Sequence, residues 1–185
     1  MRPTRNKGLK MKKIVLFCIS LCLSASVYAQ VASDYRKAAE QGNIIAQYDL
    51  ADCYFYGKGI AIDYVQAVYW YRKVAEKNDT YLCAIAQNCL GNCYYNGKGV
   101  STDYFQAIYW YRKAAKQGLD RARYNLALMY LEGEGVDKDG NTALYWFEKT
   151  LERLVTLDED HKRYTKSFIR ELKAEGYSSS RAKIN

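Results

Sequence analysis

Few residues of this chain carry side chains that commonly do chemistry. Beyond its first 29 residues the chain contains a single histidine, His161. A nucleophile–histidine–acid triad would depend on that one residue, and a metal site built from several histidines lacks its ligands. We therefore expect His161 to be a solvated residue near the start of a helix, and we expect no catalytic residue.

The same part of the chain contains four cysteines, Cys53, Cys83, Cys89 and Cys93. Cys83, Cys89 and Cys93 are not at C-x-x-C spacing and lack a clear fourth ligand, which disfavours a zinc site. Two interpretations remain open. In an exported protein Cys53 could form a disulfide with Cys83 or Cys89. Alternatively, Cys53 and Cys93, which are forty residues apart, fill equivalent small buried positions as thiols.

Acidic pairs and glycine pairs also occur, but their context disfavours chemistry. Glu132 and Glu134 could serve a hydrolase, yet they lie between two glycine-bounded helices, where a solvated loop is expected. The G-x-G pairs do not follow strands and lack the further glycines of a phosphate-binding loop. We expect no cofactor and no metal.

The positive charge of the chain is concentrated at its start. The formal net charge is +8, but six basic residues and no acidic residue lie before a ten-residue apolar run, Ile14 to Leu23. Small residues follow this run, and the segment ends with "VYA". This pattern is typical of a secretory signal peptide cut after Ala29, with Met1 or Met11 as the start. The remainder has 22 basic and 20 acidic residues, so nucleic acid is not an expected partner. We predict an exported protein, periplasmic or secreted.

The rest of the chain is organised by repeats. "DYVQAVYWYRKVA" begins at Asp63 and "DYFQAIYWYRKAA" begins at Asp103. Three units align on a leucine, a G-x-G pair, an aspartate and a tryptophan. The aligned residues are Leu50, Leu90 and Leu126, then Gly57/Gly59, Gly97/Gly99 and Gly133/Gly135, then Asp63, Asp103 and Asp139, then Trp70, Trp110 and Trp146.

Each unit predicts a helix, a glycine turn and a second helix. Ala46, Leu50 and Tyr54 form an apolar stripe at helical spacing, and glycines end that helix. Asp63 lies where an aspartate caps the second helix, and Trp70 lies on the core stripe of that helix.

These residues resemble the Sel-one-like repeat family, a relative of the tetratricopeptide repeats. The resemblance rests on "LADCYFYGKGIAIDYVQAVYWYRKVA", "LGNCYYNGKGVSTDYFQAIYWYRKAA" and "LALMYLEGEGVDKDGNTALYWFEKT". It implies an all-α fold, a right-handed α/α solenoid of about three helix-turn-helix repeats, and a role as an adaptor for other proteins.

The repeats divide the chain into segments. We predict a signal peptide at 1–29, an N-terminal half-repeat cap at 30–44, repeats at 45–78, 79–118 and 119–152, a C-terminal capping helix at 153–176 and a disordered tail at 177–185.

Binding surfaces follow from the placement of side chains around each helix. In a solenoid the first helices line the concave face, so the residues pointing away from the core form a groove there. The predicted groove residues are Tyr48, Asp52, Phe55, Asn88, Asn92, Tyr95, Tyr124, Leu128 and Leu131. An exposed apolar strip often marks an interaction site, although some of these residues could instead pack against the neighbouring repeat.

A second surface follows from the leading tyrosine of each "YWY" or "YWF". We predict an outer row of Tyr69, Tyr109 and Tyr145, one per repeat. Stacking with neighbouring lysine or arginine is the simpler role for this row, and partner or glycan binding is the other.

We predict an exported, non-enzymatic protein that binds a protein or peptide in the groove. The alternative is a cell-wall enzyme or glycan binder, because cysteine-rich relatives of this repeat are described as penicillin-binding or β-lactamase-like. Those relatives carry a regular cysteine pair in each repeat, whereas the third unit here has no cysteine.

Overall fold

The computed structural model describes residues 27–77, 81–152 and 158–184, and helices joined by short turns make up most of them. Helix α1 is described from residue 27 to residue 40. It is followed by α2 (Ile44–Tyr56), α3 (Tyr64–Ala75), α4 (Tyr81–Asn96), α5 (Tyr104–Lys116), α6 (Asp120–Glu132), α7 (Gly140–Leu151), α8 (Glu159–Ala174) and a short 3₁₀ helix (Ser179–Arg181). These residues contain no strand, so the predicted all-α class is confirmed.

The described residues up to Asp63 form one compact unit, the N-terminal unit, and those from Tyr64 onward form a second, the C-terminal unit. The N-terminal unit contains α1 and α2. The C-terminal unit contains the helices from α3 to α8, and its core is built from buried apolar residues of α4, α5, α6 and α7, with Leu172 added by α8.

The G-x-G turns are needed for close approach as well as for chain reversal. Gly97 follows α4 with a φ of 66°, the left-handed region that favours glycine. A side chain at Gly99 would collide with the backbone carbonyl of Tyr64, at the start of α3. Gly135 makes the same kind of approach to Tyr104, at the start of α5. The second glycine of the turn therefore lets each repeat contact the second helix of the preceding repeat.

Aspartates begin the second helices, as the sequence predicts. Asp103 accepts a hydrogen bond from the backbone nitrogen of Gln106 at 3.0 Å. Asp139 accepts bonds from the backbone nitrogens of Asn141 and Thr142 at 3.0 and 3.1 Å. Each carboxylate thus satisfies N–H groups that have no partner inside the helix.

A hydrogen bond from arginine to tyrosine joins successive helix pairs. The arginine belongs to the "YRK" of a second helix, and the tyrosine lies near the end of the next first helix. The bond occurs as Arg36–Tyr54 at 2.7 Å, Arg72–Tyr94 at 2.6 Å and Arg112–Tyr130 at 2.6 Å.

The third repeat lacks this arginine, and the residue in its place contacts the C-terminal helix. Glu148 stands where the other repeats have arginine, and Lys173 of α8 donates to it at 2.7 Å. Burial opposes ionisation of Glu148, but hydrogen bonds from Lys173 and Ser179 outweigh it and lower the pKa of this carboxyl. The change of one residue therefore replaces a repeat-to-repeat contact with a contact to the cap.

Helix α1 is already helical at residue 27, before residue 30, where the predicted half-repeat cap begins. "YAQVASDYRKAA", which starts at Tyr28, follows the register of the other second helices, and a side chain at Gly59 would collide with the backbone of Tyr28. The tyrosine therefore matches Tyr64 and Tyr104 in its packing role. The predicted cut after Ala29 lies within this helix, while residues 1–26 of the predicted signal peptide lie outside the described residues.

The C-terminal segment also differs from the expected disordered tail at 177–185. The backbone nitrogen of Ser178 donates to the side chain of Asn141 at 2.9 Å, and that of Lys183 donates to the hydroxyl of Thr142 at 3.0 Å. Both acceptors lie in the first turn of α7. The segment is ordered because side chains at the start of α7 supply partners for its backbone.

Candidate protein-interaction groove

The predicted groove residues lie on the first helices, as the helical spacing requires. On α2 of the N-terminal unit, Tyr48, Asp52 and Phe55 are half-buried. In the C-terminal unit α4 carries Asn88, Asn92 and Tyr95, and α6 carries Tyr124, Leu128 and Leu131. Asn88 is buried, and the other five are half-buried.

A pocket of about 210 Å³ opens between α4 and α6. Three of the predicted residues, Asn92, Tyr95 and Leu128, line it. Helical spacing did not identify the other residues that line the pocket, which are Asn96, Tyr111, Asn125, Met129 and Glu134. Asparagine is a weak helix former, so its presence in the middle of α4 and α6 was a signal that could have identified the site.

Amide side chains form a hydrogen-bonded row beside this pocket. Asn125 donates to the side-chain oxygen of Asn88 at 3.1 Å and to that of Asn92 at 3.4 Å. The hydroxyl of Tyr111, on α5, donates a hydrogen bond to the side-chain oxygen of Asn92 at 2.7 Å and so joins the row to the buried layer. These bonds fix the amide orientations, so that Asn92 retains an N–H donor and Asn125 a carbonyl acceptor for a ligand.

The next repeat lacks both members of the Tyr111–Asn92 pair. Phe147 stands at the position of Tyr111, and Leu128 stands at the position of Asn92. Phe147 is fully buried and stacks on Phe168 of α8, with ring centroids 5.2 Å apart. A polar groove residue thus occurs where a hydroxyl lies beneath it, and an apolar residue occurs where that hydroxyl is absent.

One edge of the pocket carries negative charge. Partial burial, a hydrogen bond to Glu134 and the charge of that carboxylate together raise the pKa of Tyr95. The tyrosine therefore stays protonated at neutral pH. Glu132, at the exposed end of α6, adds a second negative charge near the same hydroxyl. The residues that line the pocket include no basic side chain.

Four predicted groove residues contribute to packing. The ring of Tyr124 lies 5.8 Å from that of Phe147 and 5.1 Å from that of His161, measured between centroids. The core of the C-terminal unit also contacts Tyr95, Leu128 and Leu131. The packing role that the sequence left open is therefore present at these positions, and Tyr95 and Leu128 line the pocket as well.

The outer tyrosines have the same surroundings in every repeat. Tyr69 and Tyr109 are about half exposed, and Tyr145 is half-buried. Each meets the following tryptophan edge-to-face at 5.0 to 5.2 Å. A lysine lies over each ring, as Lys73 over Tyr69 at 4.9 Å, Lys113 over Tyr109 at 5.5 Å and Lys149 over Tyr145 at 5.7 Å. Stacking with lysine, the simpler predicted role, is therefore present.

All four described cysteines are thiols, so neither pairing of Cys53 with Cys83 or Cys89 is formed. Cys53 and Cys93 are buried at equivalent repeat positions, which is the alternative interpretation. Burial raises the pKa of Cys93 to about 12. Because the thiolate is the reactive form, this thiol is chemically inert at neutral pH.

The described residues offer few other sites. His161 lies in the first turn of α8, where it is exposed and pairs with Asp158 at 2.8 Å. Within residues 27–77, 81–152 and 158–184, no three histidine, cysteine or acidic side chains are grouped as metal ligands. No helix of this described part has the length and apolar character needed to cross a membrane.

Known proteins share this architecture. An Escherichia coli (strain K12) protein, "Sel1-repeat-containing protein YjcO", is 37% identical over 76 residues, which are 40% of this chain and 31% of that protein. The chain thus spans less than a third of the length of this relative. The crystal structure of a Sel1 repeat protein from Oxalobacter formigenes is 32% identical, covers 73% of this chain and 96% of its own, and has a TM-score of 0.60.

A protective antigen of uropathogenic Escherichia coli, c5321, which displays an SLR fold, is 29% identical. It covers 80% of this chain and 41% of its own, with a TM-score of 0.39. The Sel1 repeat itself matches residues 35–43, 44–79, 84–119 and 120–153, more than half of the chain. The chain therefore belongs to the Sel1 repeat family, and its fold class is the all-α solenoid of Sel1-like repeats predicted from the sequence.

Proposed function

We propose that this protein is a non-enzymatic scaffold that binds a protein or peptide in the groove between α4 and α6. Sel1 repeats generally form non-enzymatic scaffolds for protein interaction. The observation that carries the proposal is the pocket between these helices, in which the amides of Asn92 and Asn125 lie beside Tyr95 and Leu128.

The chemistry of the pocket suits a polypeptide ligand. A peptide backbone presents one N–H donor and one carbonyl acceptor per residue, and an asparagine amide can pair with either. Tyr95 and Leu128 provide apolar surface, and tyrosine is frequent among the residues that dominate binding energy. At about 210 Å³ the pocket is smaller than typical small-molecule sites of about 300–1,000 Å³. It therefore suits one side chain of a longer ligand.

We also propose that the protein is exported and acts in the periplasm or outside the cell. The basic start, the apolar run and the "VYA" sequence support this proposal. Mass spectrometry of the protein recovered from periplasm or medium tests it, with a mature chain beginning at Gln30 as the expected result. Recovery of only the full-length chain in the cytoplasm would contradict export.

The groove is tested by capture of partners from envelope extract, followed by binding measurements with the purified partner. Tyr95→Ser, within the groove, should weaken binding about tenfold or more, the effect of losing an aromatic anchor. Tyr109→Ser is the matched control, because it makes the same change on the outer row. Circular dichroism should show equal helicity in both variants.

Equal binding by both variants would reject the groove. Loss confined to Tyr109→Ser would assign recognition to the outer row. If no protein is retained and labelled β-lactam or peptidoglycan fragments are bound or turned over, the cell-wall alternative replaces the scaffold proposal.

A further inference from the structure

The acidic edge of the pocket narrows the class of ligand. Glu134 and Tyr95 both line the pocket, and the carboxylate of Glu134 lies close enough to the Tyr95 hydroxyl to raise the pKa of this tyrosine. Since no basic side chain lines the pocket, this charge is not neutralised within it. A ligand that places a positive charge there would complement the site, whereas an acidic ligand would be repelled.

The walls of the pocket match the other part of a basic side chain. Tyr95, Leu128 and Met129 provide apolar surface, against which the methylene stem of lysine or arginine can lie. The Tyr95 ring can also attract a cation over its face. The carboxylate of Glu134 then meets the charged head in a charge-assisted hydrogen bond.

We propose that the pocket between α4 and α6 receives a lysine or arginine side chain of an extended peptide, whose backbone hydrogen-bonds to Asn92 and Asn125. This inference rests on the proposed function and adds its specificity. Asn92 offers a donor and Asn125 an acceptor, so one extended segment can pair with both amides while its side chain enters the pocket.

The test uses four pools of short peptides with capped ends. Their central residue is fixed as Lys, Arg, Glu or Leu, and the other positions are randomised. Retention of each pool is measured on the immobilised protein. We expect the Lys and Arg pools to be retained about tenfold more than the Glu pool, which corresponds to one charge-assisted hydrogen bond.

Variants that change the charge of Glu134 test whether a preference for basic peptides arises in the pocket. Glu134→Gln should bring the ratio of Lys-pool to Glu-pool retention close to one, and Glu134→Lys should invert it. Glu76→Gln is the matched control, because Glu76 is an exposed glutamate at the end of α3 and does not line the pocket. That variant should keep the wild-type ratio.

The outcomes separate this inference from the groove proposal. Equal retention of all pools, together with loss in Tyr95→Ser, would overturn the basic preference but keep the groove. Equal retention in wild type and Tyr95→Ser would overturn both. A basic preference that persists in Glu134→Gln, or no retention of any pool, would also overturn the inference.

Discussion

The outer row and the groove lie on different helices of the same repeats. Equivalent positions carry the same residues and contacts in the outer row, but they carry different residues in the groove. Every outer tyrosine keeps its lysine and its tryptophan, at nearly equal distances. The groove positions instead change from Asn92 in one repeat to Leu128 in the next. Recurring residues therefore maintain packing, while the positions that vary give the chain its particular surface.

The variation also reaches the core. Asn92 has the hydroxyl of Tyr111 beneath it, whereas Leu128 is matched with Phe147. A buried hydroxyl needs a partner, so the polar pair and the apolar pair each change together. The groove surface and the layer beneath it thus vary together in each repeat. Substitutions at recurring positions and at varying positions should therefore differ in their effects.

The largest effect is expected at a recurring core position. Leu126 is fully buried, and Leu126→Ala should lower the free energy of unfolding by about 2–5 kcal/mol because it removes buried methyl groups and leaves a cavity. Leu128→Ala, two residues away in the groove, should cost about 1 kcal/mol, since that side chain is only half-buried. Urea unfolding followed by circular dichroism measures both. Equal losses would contradict the distinction.

A smaller effect is expected for the polar pair. Tyr111→Phe should lower the free energy of unfolding by about 0.5–1.5 kcal/mol, because the side-chain oxygen of Asn92 loses its shorter hydrogen bond and keeps only the one from Asn125 at 3.4 Å. The double variant Tyr111→Phe/Asn92→Leu reproduces the pair of the third repeat and should recover most of this loss. Urea unfolding of Tyr111→Phe, Asn92→Leu and the double variant measures these losses. If the losses of the two single variants simply add in the double variant, the hydroxyl and the amide do not depend on one another.

The effect that is smallest at neutral pH concerns the ionisation of Cys93, because it appears only at alkaline pH. The unfolded thiol ionises from about pH 8.5, whereas burial raises the pKa of Cys93 in the folded protein to about 12. The folded state thus binds the proton more tightly. The protonated thiol of Cys93 therefore stabilises the folded state fully at a pH below the pKa of the unfolded thiol. This stabilisation is lost as the pH rises toward 12.

Within that range the free energy of unfolding should fall by about 1.4 kcal/mol per pH unit from this group. Cys93→Ala should remove this part of the slope. Denaturant unfolding at several alkaline pH values measures the slope in wild type and in the variant. Identical slopes in wild type and Cys93→Ala would contradict a buried, protonated thiol.

Much of the fold followed from spacing in the sequence. The glycine turns, the capping aspartates and the core tryptophans recur at fixed intervals, and local physics decides what each does. The groove was predicted only in part. Asn92, Tyr95 and Leu128 line the pocket, but Tyr124 contacts His161, a residue that follows it by 37 positions along the chain. Helical periodicity gives the direction of a side chain but not what covers it.

The sequence by itself determined the repeats, their helices, their caps and the family, because these depend on contacts within one helix pair or between adjacent pairs. Only the tertiary structure decided that Glu134 and Tyr95 form the edge of one pocket, that Asn125 joins the amide row, and that the cysteines remain thiols. Those features depend on contacts between side chains of different helices, and the periodic pattern of a single helix does not predict such contacts.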